Sequence, residues 1–248
     1  KSWKQELTFA AAGLTGMTLY YLMENIALTY SQASNVGVIV SIAPVFTAIT
    51  AHIFLKEEGK LRPAFFMGCV IALIGISLIS FSGTTMHLNP IGDLLSVGGA
   101  IIWSFYSVLS KKIGSFGYSV VQATRRTFFY GILFMIPALF IFDFKWDLIR
   151  FATPAYLFNI FYLGLGASAI CFVTWNMAVR ILGAIKTSVY IYLAPVVTAV
   201  TSVIILHEKI TFLSGLGILL VVGGLLLSEQ KKKFFSIRGR KQAENVIE

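Results

Sequence analysis

Charge is what this sequence has least of. Among 248 residues there are 20 Lys and Arg and only 11 Asp and Glu. That is too little polarity to cover a soluble domain of this length. Two cysteines, Cys69 and Cys171, fall inside apolar stretches, so a disulfide framework and a zinc motif are excluded and both read as small packing residues. The histidines His52, His87 and His207 are scattered without ligand spacing, and no metal centre is expected. No Walker-type phosphate loop is present, so ATP is not the direct energy source. Neither HExxH nor GxSxG occurs, and the clustered polar residues of a membrane-embedded enzyme are missing as well. No enzyme activity and no cofactor are expected.

Long apolar runs take the place of charge. Hydrophobic residues make up 57% of the chain and the mean hydropathy is +0.81. A span needs roughly 20 mostly apolar residues to cross a ~30 Å hydrocarbon core. The uncharged runs predict eight transmembrane helices, at about 8–30, 33–56, 63–82, 92–111, 120–142, 154–179, 184–207 and 211–229. The runs do not alternate polar and apolar residues, as strands of a membrane barrel would. The fold class is therefore an all-α integral membrane protein in a lipid bilayer.

The net charge of +9 is a matter of topology, not of nucleic-acid binding. Cytoplasmic loops of membrane proteins collect Lys and Arg. With the tail KKKFFSIRGRKQ placed inside and eight helices threaded back from it, 17 of the 20 Lys and Arg fall on the inner side and only Lys145, Arg150 and Lys209 fall outside. This predicts a cytoplasmic C-terminus. Arg125 and Arg126 belong to the inner set; attraction of an anionic substrate is the alternative use.

One apolar stretch occurs twice. Residues 42–57 read IAPVFTAITAHIFLKE and 193–208 read LAPVVTAVTSVIILHE. At an offset of 151, 11 of 25 positions between 33–57 and 184–208 are identical, Pro44/Pro195 and Glu57/Glu208 among them. The same offset aligns Asn25 with Asn176. With two residues fewer between the helices, Gly68 and Gly75 fall on Gly217 and Gly224. Three successive helices repeat. On the topology above, helix 33–56 runs inward and its counterpart 184–207 runs outward, so the repeats are inverted. Inverted repeats about a midplane site are the common build of secondary transporters. An odd helix count per repeat produces the inversion. The second repeat is expected to hold five helices over 87–230. The first, 1–86, shows only its last three, ahead of a basic tail at 231–248. The chain opens on Lys1 rather than methionine, and the two missing helices are expected upstream of it.

The stretches ALTYSQASNVGVIVSIAPVFTAITAHIFLKEE and LGAIKTSVYIYLAPVVTAVTSVIILHEKIT, followed by GLGILLVVGGLLL, together with IGDLLSVGGAIIWSFYSVLSKK, make the chain resemble the EamA family of the drug/metabolite transporter superfamily. The resemblance covers roughly 8–229. It implies a ten-helix fold of two inverted five-helix repeats and the export of amino acids, other metabolites or toxic compounds. The chain departs from that pattern by lacking the first two helices. In the family these help to line the central cavity, which puts transport by 1–248 alone in question.

Several residues stand out as candidates for the work. Pro44 and Pro195 lie mid-helix, where each removes a backbone donor and clashes with the carbonyl four residues back, at Val40 and Ile191. Such breaks survive in a membrane where they face protein or a cavity. Paired hinges are one reading and static kinks the other. Glu24 is the one carboxylate well inside a predicted span. An ionised side chain at a helix centre costs about 2.5–3.5 kcal/mol on insertion scales, so Glu24 should face the bundle interior or a wet cavity. There it is suited to carry a proton or to hold a substrate amino group; a structural hydrogen bond is the alternative. Its repeat counterpart is Trp175. Asn25 and Asn176 suit helix cross-linking or the border of a cavity. Tyr21, Trp103, Tyr106, Trp175, Tyr190 and Tyr192 are candidates for aromatic cavity walls, against simple packing. Glu57 and Glu208 are expected to serve as gates or caps. The four repeat glycines are expected to serve close helix packing or a homodimer.

The expected function is a secondary transporter exporting a small organic metabolite across the plasma membrane. A nucleotide-sugar or phosphorylated-metabolite exchanger of the same superfamily is the alternative, although it calls for a basic cavity and no Lys or Arg lies mid-span. A channel or a non-transporting membrane subunit stays open too.

Overall fold

The structure, a computed structural model, describes residues 2–55, 63–81, 89–142, 152–206 and 211–229, with backbone only at 202, 205 and 206. Glu57, Glu208, His87, His207 and the tail 231–248 lie outside the described residues. The described residues are all helix and connection, with no strand among them. They form eight helical rods: α1 over 3–30, α2 Ala33–Phe54, α3 Pro63–Ser80, α4 Pro90–Gly114, α5 Val120–Ile141, α6 Pro154–Leu182, α7 over 184–206 and α8 Phe212–Glu229. Seven of these, α2 to α8, are long and apolar enough to cross a membrane. The exception is α1, whose opening turn WKQE and Glu24–Asn25 pair near its far end dilute its apolar character. It starts at Trp3, five residues before the predicted boundary.

Local signals set the helix ends. Asn89 accepts hydrogen bonds from the Ile91 and Gly92 amides at 3.1 and 3.3 Å, Pro90 opens α4, and Lys111 and Lys112 sit in its last turn, where cations favour the negative end of the helix dipole. Ser119 and Gln122 form a reciprocal capping box at the start of α5. Between α6 and α7 the chain turns at Gly183, whose φ of +93° suits only a residue without a Cβ.

Two cores divide the bundle. In one, Phe9, Tyr106, Ile113, Ala123 and Phe172 join α1, α4, α5 and α6. In the other, Ala48, Cys69, Ile76, Tyr192 and Val221 join α2, α3, α7 and α8. Thr50 and Ser104 hydroxyls, 2.9 Å apart, bridge α2 to α4 and so connect the halves.

The tightest helix pair is α3 with α8. A Cβ added at Gly68 would lie 2.5 Å from the Gly224 carbonyl oxygen, and one at Gly75 would lie 2.6 Å from that of Gly217; the reverse substitutions meet the same distances. Pairing 68 with 224 and 75 with 217 runs the two helices antiparallel. The four glycines matched by the sequence repeat thus pack against one another within one chain. Lipid tails are as apolar as Leu, so such association rests on van der Waals contact, which small residues permit by letting backbones approach.

The repeat has further local counterparts. Wide π-type turns occupy Leu14–Leu19 in α1 and Tyr162–Ile170 in α6, and at the offset of 151 the first maps inside the second. Such turns interrupt the regular hydrogen-bond ladder and often mark functional regions.

Candidate functional site

The two proline helices are broken at matching places. In α2, Ala33–Val40 gives way to a turn at Ser41 and Ile42, and Ala43–Phe54 resumes with Pro44 in its first turn. The turn is held by the Ser41 and Ile42 amides, which donate to Gly37 and Ile39 carbonyls at 3.1 Å each, and by the Ser41 hydroxyl, which donates to Gly37 at 2.6 Å. Pro44 has no N–H to return to the Val40 carbonyl. In α7, Ala184–Val189 tightens into a 3-10 turn at Tyr190–Tyr192 before Leu193–Leu206 carries Pro195 in its first turn.

Both breaks face one open cavity of about 610 Å³, bordered by α2, α7, the end of α3, the start of α8 and Glu24. Val40 and Ser41 line it from the first break, and Ile191 and Pro195 from the second. This is the setting in which irregular backbone is tolerated at membrane depth. Hydroxyls such as Ser34, Ser41, Thr198 and Ser214 supply most of its polarity. Among the described residues that line it, Glu24 is the sole ionisable side chain and there is no Lys, Arg or His.

Glu24 Oε1 accepts a hydrogen bond from the Tyr20 hydroxyl at 3.1 Å. The Tyr20 ring packs on Trp103 with centroids 4.8 Å apart, and Trp103 packs on Trp175 and on Tyr106 at 5.1 Å each. Glu24 thus joins the cavity to an aromatic cluster that also takes in Tyr21 and Phe172. The Trp103 and Trp175 indole N–H groups are buried without an acceptor among the described residues.

The sequence candidates therefore separate into groups. Glu24 and Pro195 line the large cavity. Tyr21, Trp103, Tyr106 and Trp175 belong to the packed aromatic cluster behind it. Asn176 cross-links three helices: its Oδ1 accepts from Tyr106 at 2.7 Å and Ser110 at 2.6 Å, and its Nδ2 donates to Thr124 at 2.9 Å. The space beside it is about 20 Å³, room for a water and no more. Asn25, its repeat counterpart, is exposed and donates to the Tyr21 carbonyl of its own helix at 2.8 Å. Pro44 is buried at its break, Tyr192 is buried in the second core, and Tyr190 is exposed.

One group was not legible in the sequence. Arg126 forms an ion pair with Glu6, Tyr130 donates to the same carboxylate at 2.8 Å, and the guanidinium lies over the Phe9 and Tyr118 rings, 5.1 and 5.6 Å from their centroids. This clamp fastens α1 to α5 at the ends from which both helices start. A Glu in the opening turn of α1 and an Arg in the second turn of α5 were a usable signal, but their 120-residue separation hid the pairing.

Comparison with known proteins bears on family and fold. The model of the EamA-like transporter family matches residues 1–81 and 90–229. An uncharacterized transporter of Archaeoglobus fulgidus is 27% identical over 229 residues, spanning 91% of this chain and 77% of that protein. The uncharacterized transporter YvbV of Bacillus subtilis is 27% identical over 231 residues, 91% of this chain and 72% of its own length. A protein of Streptantibioticus cattleyicolor named as a probable terminal-alkyne amino-acid exporter is 26% identical over 222 residues, 90% and 72% of the two chains. A crystal structure of a protein 21% identical superposes with a TM-score of 0.73 over 92% of this chain and 77% of that one, a likeness of fold.

Proposed function

Because the chain belongs to the EamA-like transporter family and is a multi-pass membrane transporter, we propose that it exports small organic metabolites, amino acids or toxic compounds, across the plasma membrane by alternating access. The observation that carries this reading is the cavity of about 610 Å³ between the broken helices α2 and α7, with Glu24 as the one charged side chain among the described residues that line it. Discontinuous helices meeting at a site between repeats are how secondary transporters build their binding sites. The antiparallel glycine pairing of α3 with α8 supports two repeats of inverted topology, over 1–86 and 87–230. The amino-acid relative supports that substrate class.

With the basic side of the bundle placed inside, the cavity is bordered by outer helix ends: the start of α2, the end of α3 and the start of α8. The Glu6–Arg126 clamp then lies at the inner ends of α1 and α5. The molecule is accordingly read as open outward and closed inward. Pro44 and Pro195 act as hinges of the rocking step, and Glu24 carries the coupling proton. The aromatic cluster of Tyr21, Trp103, Tyr106 and Trp175 forms the wall behind Glu24. A phosphorylated-metabolite exchanger suits the cavity less well, since no basic side chain is among the described residues that line it.

The test is efflux from liposomes loaded with a mixture of amino acids and common metabolites, followed by mass spectrometry with and without a pH gradient. Saturable efflux that follows the gradient in the wild type and not in Glu24→Gln is expected. Equal responses in both proteins would remove Glu24 from coupling. No movement of any compound would reject the exporter reading.

A further inference from the structure

Among the described residues, Glu24 is a carboxylate without a cation. Its hydrogen-bond partner is the Tyr20 hydroxyl, and among the described residues no Lys, Arg or His pairs with it. Glu6, by contrast, is answered from within the protein by Arg126 and Tyr130. The fold thus neutralises one carboxylate of α1 internally and turns the other towards the cavity. A carboxylate on a membrane-embedded helix is costly unless it meets an opposite charge or a proton.

The rest of the cavity suits a cation. Ser34, Ser41, Thr198 and Ser214 present hydroxyl oxygens that accept hydrogen bonds from an ammonium group. Val40, Ile191 and Val203 present apolar surface for the body of a ligand. Among the described residues of the lining, none offers a positive side chain to a carboxylate, sulfonate or phosphate. An anion entering beside Glu24 would meet a like charge.

From this asymmetry we infer that the cavity takes molecules bearing a protonated or quaternary nitrogen, that Glu24 is their counter-ion, and that net-anionic compounds are rejected. The inference rests on the transporter reading above and narrows its substrate class. Tyr20 is the positioning residue. Its ring is fixed against Trp103, so its hydroxyl holds the carboxylate of Glu24 in one place. Binding to an uncharged form of the substrate would not need this arrangement; an ion contact does, because a charge-assisted hydrogen bond is short and directional.

Two matched series test the class on the purified full chain. Phenethylamine, phenylalanine and N-acetylphenylalanine share one body and differ in net charge; isoamylamine, leucine and N-acetylleucine do the same with an aliphatic body. Equilibrium binding in nanodiscs is measured for all six, and flux of the same six in liposomes alongside the broad metabolite mixture. The amine is expected to bind tightest and the N-acetyl acid weakest in each series, by roughly ten- to hundredfold, the range of a hydrogen bond to a charged group. Glu24→Gln, similar in volume, should collapse that order, Glu24→Asp should retain it at weaker affinity, and Tyr20→Phe should weaken the amine while leaving the N-acetyl acid unchanged. An N-acetyl acid that binds as well as its amine, or an order unaltered in Glu24→Gln, overturns the inference. So does flux in the broad mixture confined to compounds without a basic nitrogen, which leaves the transporter reading intact. If nothing moves at all, it is the transporter reading that fails, and the inference falls with it.

Discussion

Replacing Gly75 by alanine places a methyl group where the backbone of α8 already lies. The added Cβ would stand 2.6 Å from the Gly217 carbonyl oxygen, 2.8 Å from the Val221 nitrogen and 2.9 Å from Leu220 Cβ. Two of these neighbours are backbone atoms, so no rotamer change relieves the contact. To regain ordinary separations of ~3.5 Å, α3 and α8 must part by roughly 0.5–1 Å, which also loosens their shared van der Waals surface. Overpacking of this kind costs about 1–3 kcal/mol, against a helix-propensity gain for Ala over Gly of about 1 kcal/mol or less. A net loss of about 1–2 kcal/mol is expected. Gly217→Ala should cost a similar amount, since its Cβ meets the Gly75 carbonyl oxygen at the same 2.6 Å. The double variant should cost less than the sum, because helices already parted by one methyl group have room for the other. Gly223→Ala is the control: nothing lies within 4 Å of its added Cβ, so it should be neutral or slightly stabilising. Thermal unfolding in detergent, read by size-exclusion chromatography with fluorescence detection, compares the four variants. If Gly75→Ala and Gly223→Ala unfold alike, the close antiparallel contact is refuted.

Other substitutions probe the remaining elements. Asn176→Leu strips partners from Tyr106, Ser110 and Thr124 and should destabilise by about 1–2 kcal/mol, whereas Asn25→Leu, at an exposed site bonded within its own helix, should change unfolding by less than about 0.5 kcal/mol; unfolding in detergent compares them. Arg126→Gln should lower stability by under about 1 kcal/mol, since the pair is partly solvated, and Arg126→Lys should not restore it, because a lysine cannot reproduce a flat guanidinium over the Phe9 and Tyr118 rings. Pro44→Ala and Pro195→Ala each return an N–H to the backbone; if the breaks are hinges, turnover in liposomes falls while stability holds or rises, and if they are static kinks turnover is unchanged.

Much of the architecture was readable because it follows from composition and period. Uncharged runs set the helices to within a few residues. The boundary of α1 moved because polar residues such as Lys4 and Glu6 can extend a helix without belonging to an apolar run. Pro44 and Pro195 announced the breaks through their missing N–H groups, and the glycine pairs seven residues apart announced a close contact. Neither could say with what. That Gly68 meets Gly224, and that Glu6 meets Arg126, depends on how helices distant in sequence are arranged. The candidate site was legible one residue at a time. Glu24 stood out by its charge, but the separation of the cavity from the aromatic cluster did not, since Trp and Tyr suit a packed core and a cavity wall alike. Asn25 and Asn176 are equivalent in the repeat and differ in role because their surroundings differ.

The central claim is that the cavity between α2 and α7 is the transport pathway, open to the outside. Thr198 lines it and is exposed, and the native cysteines can be replaced, Cys69 by alanine in its buried site and Cys171 by serine. In that background, right-side-out vesicles carrying Thr198→Cys are treated with a membrane-impermeant maleimide, and labelling and flux are recorded together. The account predicts labelling from the outside and a matching loss of flux, with substrate in excess slowing the reaction. A variant that labels fully yet transports at its original rate, or that reacts only from the inner face, would contradict it.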